Sequence, residues 1–125
     1  MEGPLRVMLL DDDVAYLGSV KELLTTPDCK VHICDKPSEA LAMIKTVKPH
    51  CLILDLNMPF LNGDDILPWA RKENPQMPII ICSGNEVVKD RLFKAYGVKH
   101  ILKKPVSSAM LIQTIKTAVE ESNQA

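Results

Sequence analysis

Five short apolar runs recur along the chain, and their regular spacing limits the possible folds more than any other feature. The runs begin roughly 20 to 27 residues apart and lie at 5–10, 30–34, 51–54, 78–82 and 100–102. The stretches between them carry apolar residues at helical spacing, for example Val14, Leu17, Val20, Leu23 and Leu24. Short strands that alternate with helices favour a parallel β-sheet of the α/β class.

The first, third and fourth runs are almost continuously apolar and do not alternate between apolar and polar residues. Such runs are typical of parallel strands that helices cover on both faces of the sheet. We therefore expect a central parallel sheet between two layers of helices. A length of 125 residues suits one such unit, so residues 1–125 are predicted to form a single domain, with a frayed tail at 122–125.

Capping residues and prolines mark the predicted helix ends. The signals are Asp13 before the first helix, Pro37 in the first turn of the second, Asn62 before the third, Gly97 after the fourth, and Ser107 or Ser108 before the fifth. Pro68 falls about one turn into the third predicted helix, where proline removes a backbone hydrogen bond. We expect either a kink or a late start of this helix.

The charge balance offers little attraction to nucleic acid or to a membrane. The chain has 15 basic and 16 acidic residues and a net charge of −1. Binding to nucleic acid or to a membrane would therefore require a local patch on its surface. No apolar run approaches the ~20 residues of a membrane-spanning helix, and the N-terminus lacks the basic and apolar segments of a secretory signal. We expect a cytoplasmic domain that binds neither nucleic acid nor membrane directly.

The four cysteines give no sign of a disulfide framework or a zinc site. They form no C-x-x-C pair, and no histidines cluster at ligand spacing. We expect each cysteine to act as a small apolar side chain. The residues are Cys29, Cys34, Cys51 and Cys82.

Polar residues follow four of the five predicted strands. In an open parallel sheet, the carboxyl ends of the strands carry the functional groups. The segments at these ends are Asp11-Asp12-Asp13, Asp55, Ser83-Gly84 and Lys103-Lys104-Pro105. Helix capping explains an acidic residue such as Asp13, but Asp55 ends a buried run several residues before the next helix. The Asp55 carboxylate therefore needs a partner.

The acidic residues would converge if the first and third strands are neighbours. Two carboxylates at ~4 Å repel each other by about 4 kcal/mol at an effective dielectric near 20, so Asp11, Asp12 and Asp55 together require a cation. Oxygen-only ligands favour a hard ion, and Mg²⁺ fits best. Lys104 supplies a second positive charge, and Ser83 supplies a hydroxyl. Together these groups suit a phosphoryl group, with Asp55 as the nucleophile.

The combined pattern resembles the receiver domain of two-component response regulators. The segments that carry the resemblance are LLDDD, LILDLNMPFLNG, IICSGN and ILKKP, and they extend over essentially the whole chain. The resemblance implies a flavodoxin-like (βα)5 fold with five parallel strands in the order 2-1-3-4-5 and helices on both faces. It also implies a phosphoprotein that assists its own phosphorylation and dephosphorylation and is otherwise not an enzyme.

By this resemblance, Asp55 accepts a phosphoryl group from the phosphohistidine of a sensor histidine kinase or from a phosphotransfer protein. Asp12, Asp55 and the backbone carbonyl of Asn57 hold Mg²⁺, and Asp11 assists directly or through water. Phosphorylation then switches a face of the domain that binds a downstream output protein or domain.

The resemblance also implies which groups bind the phosphoryl group. Ser83 hydrogen-bonds it, Lys104 pairs with it, and the Lys104–Pro105 peptide bond is cis. Lys103 is expected to be a solvated neighbour. Ile101 stands where the family usually has an aromatic residue that moves on activation, and we expect this isoleucine to be packed.

Two other functions compete with this one. A flavin or dinucleotide enzyme on the same fold would need a Gly-, Ser- or Thr-rich loop after the first strand, where residues 11–13 would repel a phosphate. A receiver-like interaction module that works without phosphorylation is the main alternative, although the presence of every site position argues against it. The sequence also leaves open whether the domain stands alone or belongs to a longer regulator or hybrid kinase.

Overall fold

The computed structural model describes residues 3–55, 63–83 and 94–123, and strands and helices alternate along them. The strands are β1 (Leu5–Leu10), β2 (Cys29–Cys34), β3 (Cys51–Asp55), β4 (Ile79–Ser83) and β5 (His100–Lys103). The helices are α1 (Val14–Leu24), α2 (Pro37–Val47), α3 (Gly63–Glu73) and α4 (Ser108–Asn123). The alternation confirms the predicted α/β class.

All five strands form one parallel sheet in the order β2-β1-β3-β4-β5, as predicted. β1 therefore separates β2 from β3. In the register of the sheet, Leu10 lies opposite Leu54 and Asp55 lies opposite Cys82. The carboxyl ends of β1 and β3 consequently meet at the same end of the sheet.

Two apolar clusters cover the two faces of the sheet, which confirms the expected layers of helices. Successive residues of a strand point to opposite faces, so Leu52 belongs to one cluster and Ile53 to the other. Residues of α2 and α3 pack in the first cluster, and residues of α1 and α4 in the second. All five residues of β3 are buried, as its continuous apolar run predicted.

The helix ends use the predicted signals where the structure describes them. Asp13 caps α1, because its carboxylate accepts the Tyr16 backbone N–H at 3.0 Å. Pro37 is the first residue of α2. The Ser107 hydroxyl accepts the Met110 backbone N–H at 3.1 Å, so Ser107, rather than its neighbour, caps α4.

The helix predicted between β4 and β5 lies largely outside the described residues, as does the predicted cap Asn62. Its described part is helical at residues 94 and 95, and a turn follows. Gly97 stands in that turn with φ of 71°, a backbone conformation that glycine adopts readily and other residues adopt rarely. This conformation is typical of the residue that follows a helix.

The structure corrects the late start considered for the third helix. Pro68 lies inside α3, which is already helical at Gly63. Leu67 and Ala70, on either side of the proline, are completely buried. Their burial compensates for the one backbone hydrogen bond that proline removes, so the helix continues past Pro68. At the other end of the chain, α4 is helical to Asn123, so it includes the first residues of the predicted tail.

The expectation for Ile101 is also wrong. Its side chain is 45% exposed, and not packed in the core. β5 is an edge strand, and β4 is its one neighbouring strand in the sheet. The side chains of β5 therefore have a neighbouring strand on one flank and none on the other. The residues of β5 accordingly alternate between half-buried and exposed.

Trp69 is another large apolar side chain at the surface. It lies on α3 between the buried residues 67 and 70 and is 54% exposed. It is the only tryptophan in the sequence.

The four cysteines are free thiols. Cys34, Cys51 and Cys82 are buried, and Cys29 is half-buried, so they pack as small apolar residues. No helix in the described ranges is long and apolar enough to cross a bilayer.

Candidate functional site

Three aspartates meet where β1 and β3 end. Asp11 directly follows β1, and Asp55 is the last residue of β3. Each of Asp11, Asp12 and Asp55, which we call the acidic cluster, offers a carboxylate oxygen within 4.8 Å of the others. Asp11 and Asp55 are 2% and 3% exposed, whereas Asp12 is exposed. The sheet thus buries two carboxylates side by side and leaves the third open to solvent.

Lys104 brings a positive charge to the two buried carboxylates. Its Nζ lies 2.9 Å from Asp11 Oδ2 and 3.2 Å from Asp55 Oδ2. The residue directly follows β5, and its peptide bond to Pro105 is cis, as predicted. Burial alone would lower the pKa of the ammonium, but the hydrogen bond and charge of Asp11, with the charge of Asp55, leave this pKa above its ordinary value. Lys104 therefore stays charged.

Asp11 is held in its ionised form. Burial alone would raise its pKa, but the hydrogen bond from the Asp13 backbone N–H and the contact with Lys104 outweigh that effect, so the pKa is lower than usual. The Asp13 N–H donates to Asp11 Oδ1 at 3.0 Å. Asp13 itself caps α1 and is not one of the carboxylates of the acidic cluster.

An aromatic ring that the sequence analysis missed lies beside the ammonium. Lys104 Nζ is 5.4 Å from the centroid of the Tyr16 ring, within the range of a cation–π contact. Burial is the main cause that raises the pKa of the Tyr16 hydroxyl, so the ring remains neutral. No local signal in the sequence indicates this contact, because Tyr16 lies three residues after Asp13 and far from Lys104 along the chain.

A buried thiol lies next to Asp55 in the sheet. Cys82 of β4 is opposite Asp55 in the register and is 3% exposed. Burial, followed by the charges of Asp55 and Asp11, raises the pKa of this thiol to about 12. The Cys82 side chain is therefore neutral near neutral pH and adds no charge to the site.

The remaining predicted site residues are described in part or not at all. The backbone of Ser83 ends β4 opposite Lys103, whose side chain is exposed. Nothing is described of the Ser83 side chain, and Asn57 lies outside the described residues. The structure thus brings together Asp11, Asp12, Asp55 and Lys104, which come from three separate segments of the chain.

Comparison with known proteins assigns the family. A family model described as the response regulator receiver domain matches residues 7–116. The chain belongs to the response regulator receiver domain family. This assignment confirms the resemblance recognised in the sequence and makes the chain a receiver domain of two-component signalling, a family that generally acts as a phosphoacceptor switch.

Known proteins resemble this receiver domain in sequence and in fold. The cell cycle response regulator CtrA of Brucella ovis is 29% identical over 119 residues, which are 94% of this chain and 51% of that protein. The chain thus spans about half the length of the curated relatives that it matches. A CheY-like receiver domain protein from Methanospirillum hungatei is 27% identical with a TM-score of 0.90, covering 97% of this chain and 98% of the other.

A third relative of the receiver domain is the beryllofluoride-activated receiver domain dimer of NtrC4. It is 25% identical with a TM-score of 0.84, covering 94% of this chain and 98% of the other. These structures confirm the flavodoxin-like fold with its strand order 2-1-3-4-5.

The acidic cluster fits the hard divalent cation that receiver domains bind in an acidic pocket. Its donors are all carboxylate oxygens, which Mg²⁺ prefers over nitrogen or sulfur ligands. The exposed Asp12 leaves one side of the cluster open to solvent, and Mg²⁺ usually keeps several of its waters. The donor set of this chain is therefore chemically suited to Mg²⁺.

Proposed function

We propose that this receiver domain accepts a phosphoryl group on the Asp55 carboxylate from the phosphohistidine of a sensor histidine kinase or phosphotransfer protein. The observation that carries the proposal is the burial of Asp55 beside Asp11, with the Lys104 ammonium 3.2 Å and 2.9 Å from the two carboxylates. A nucleophile and a positive charge therefore lie together at the carboxyl ends of the strands.

The transfer needs no other covalent group from the protein. A carboxylate oxygen of Asp55 bonds to phosphorus as the phosphorus–nitrogen bond of the phosphohistidine breaks, and the imidazole nitrogen keeps that electron pair. Lys104 then pairs with the phosphoryl oxygens in place of the Asp55 carboxylate, which stabilises the charge that accumulates there. Ser83 donates a hydrogen bond to the phosphoryl group. Hydrolysis by water returns Asp55 to its carboxylate form.

Four groups are proposed to hold the metal ion: Asp11, Asp12, Asp55 and the backbone carbonyl of Asn57. Mg²⁺ bound there supplies positive charge that offsets the repulsion between the carboxylates and the incoming phosphoryl oxygens. Asp11 contributes directly or through water. Its lowered pKa keeps it available as an anion at any pH near neutral.

The phosphorylated domain is proposed to act as a switch for a partner and not as an enzyme on other substrates. Its partners are the phosphodonor protein on one side and an output protein or output domain on the other. Proteins such as CtrA are about twice as long as this chain, so the output can be a further domain of a longer regulator. Direct contact with nucleic acid or membrane is not part of the proposal.

Labelling by acetyl phosphate tests the proposal. The chain should gain one phosphoryl group in Mg²⁺, lose that ability with excess chelator, and stay unlabelled as Asp55→Asn. Asp13→Asn is the matched control, because asparagine caps a helix as well as aspartate does and Asp13 lies outside the acidic cluster. If wild type stays unlabelled in Mg²⁺, the proposal is wrong and the module that works without phosphorylation is the better description.

A further inference from the structure

The Tyr16 ring is the one partner of the Lys104 ammonium, among those described, that carries no charge. Lys104 Nζ lies 5.4 Å from its ring centroid, compared with 2.9 Å and 3.2 Å from the carboxylates of Asp11 and Asp55. The face of an aromatic ring attracts an ammonium through its quadrupole. Lys104 is therefore held from three sides.

The fold fixes the ring in this position. The Tyr16 backbone N–H is bound by the Asp13 cap, in the first turn of α1. Its half-buried side chain packs against the cluster that α1 and α4 form on the sheet. Lys104, in contrast, reaches the site on a flexible four-carbon stem. The rigid ring can thus restrain the flexible ammonium, but not the reverse.

The three contacts of Lys104 change in different ways during the proposed reaction. Asp11 serves the metal ion, and Asp55 becomes an acyl phosphate, so both carboxylates weaken as partners of Lys104. The Tyr16 ring is neither a metal ligand nor a phosphoacceptor, so its attraction persists throughout.

We propose that Tyr16 is a positioning residue that keeps the Lys104 ammonium at the site while its carboxylate partners are exchanged for a phosphoryl group. This inference rests on the proposed function. Tyr16 does not touch the phosphoryl group itself and acts through Lys104.

Two substitutions separate the ring from the hydroxyl. Tyr16→Phe keeps the aromatic face, so acetyl phosphate labelling should proceed at nearly the wild-type rate. Tyr16→Leu keeps an apolar side chain but loses the π face, so labelling should slow about two- to fivefold, the range expected for a partly exposed cation–π contact. The Mg²⁺ affinity of both variants, measured by titration calorimetry, should match wild type, because Tyr16 supplies no metal ligand.

A double-mutant cycle shows whether the effect passes through Lys104. In a Lys104→Met background, Tyr16→Leu should cause no further slowing, since the ammonium is already gone. Leu23→Ala is the matched control on the same helix, because Leu23 is 59% exposed at the far end of α1. It should leave the rate unchanged.

The outcomes distinguish this inference from the proposed function. If wild type is not labelled in Mg²⁺, the proposed function fails, and the role of Tyr16 fails with it. If wild type is labelled but Tyr16→Leu matches Tyr16→Phe, only the inference on Tyr16 is overturned. The same holds if Tyr16→Leu slows labelling equally with and without Lys104, since the ring would then act by another route.

Discussion

The Lys104 ammonium lies between two buried carboxylates, and a second lysine precedes it directly in the chain. Lys103 has an exposed side chain, whereas Lys104 contacts both Asp11 and Asp55. The two residues have the same charge, and their side chains differ in exposure, since Lys104 is half-buried. They therefore form a matched pair for testing the electrostatics of the site.

Lys104→Ala should slow labelling by acetyl phosphate about 100-fold, the usual cost of removing one charge-stabilising group from a site. Lys103→Ala should stay close to the wild-type rate. The measurement is the labelling rate of both variants at saturating Mg²⁺. Equal rates for the two variants would show that the contacts of Lys104 do not matter for the transfer.

His50 joins the start of β3 to β1 through its ring. The ring Nδ1 accepts the Arg6 backbone N–H at 2.9 Å, and the backbone N–H of His50 donates to the Arg6 carbonyl at 2.7 Å. Only a ring that is unprotonated at Nδ1 can accept this bond. Burial, followed by the charge of Arg6, lowers the pKa of His50 below its ordinary value.

The lowered pKa predicts how stability depends on pH. A histidine of this kind contributes stability that is fully present above the unfolded pKa of about 6.5 and is lost as pH falls through the folded value. The free energy of unfolding in urea should therefore decrease as the pH is lowered below 6.5. In His50→Asn, whose side-chain oxygen can accept the same N–H without titrating, this decrease should be smaller. His32, whose pKa burial also lowers, accounts for part of what remains.

At the scale of elements, Arg71 connects the end of α3 to two loops. Its guanidinium donates to the carbonyls of Met77, before β4, and of Tyr96, before β5. A longer contact of 3.4 Å reaches the Gly97 carbonyl. Arg71 thus connects α3 to the turn at Gly97, which follows the helix predicted between β4 and β5.

Arg71→Met should lower the free energy of unfolding by about 1.5–3 kcal/mol, since it removes charge-assisted hydrogen bonds from partly buried carbonyls. Lys72→Met is the control on the same helix. Its side chain is exposed, so the change should stay within about 0.5 kcal/mol. Urea unfolding of both variants measures these changes. Similar decreases in the free energy of unfolding would mean that the Arg71 hydrogen bonds add no stability.

At the scale of the whole molecule, metal binding and stability are linked. The two buried carboxylates of the acidic cluster repel each other, and Lys104 is the described cation that lies beside them. A ligand that binds the folded form alone raises stability by about 2.7 kcal/mol at 100 times its dissociation constant.

Mg²⁺ at that excess should raise the unfolding temperature by roughly 10 °C. Asp12→Asn should reduce this increase, and because Asp12 is exposed, the variant should fold normally and be slightly more stable than wild type without metal. Thermal unfolding followed by circular dichroism, with sodium chloride at matched ionic strength as the control, measures both effects. An equal increase in wild type and variant would exclude Asp12 as a ligand.

The parts of the molecule that local sequence determines could be predicted, and the parts that depend on neighbours in space could not. The burial of β3 could be predicted from its continuous apolar run, and the cap of α1 from Asp13. The meeting of Asp11 with Asp55 required the strand order, which came from the family resemblance. The contact of Tyr16 with Lys104 and the exposure of Ile101 depend on which elements lie side by side, and no local pattern encodes them.

The exposed Trp69 gives the natural protein a fluorescent reporter. Because the chain has a single tryptophan, indole emission comes from one place, the outer surface of α3. A side chain that is 54% exposed is accessible to a soluble quencher such as acrylamide. Quenching before and after beryllofluoride is added therefore reads the surroundings of α3 alone, without a label or an engineered substitution.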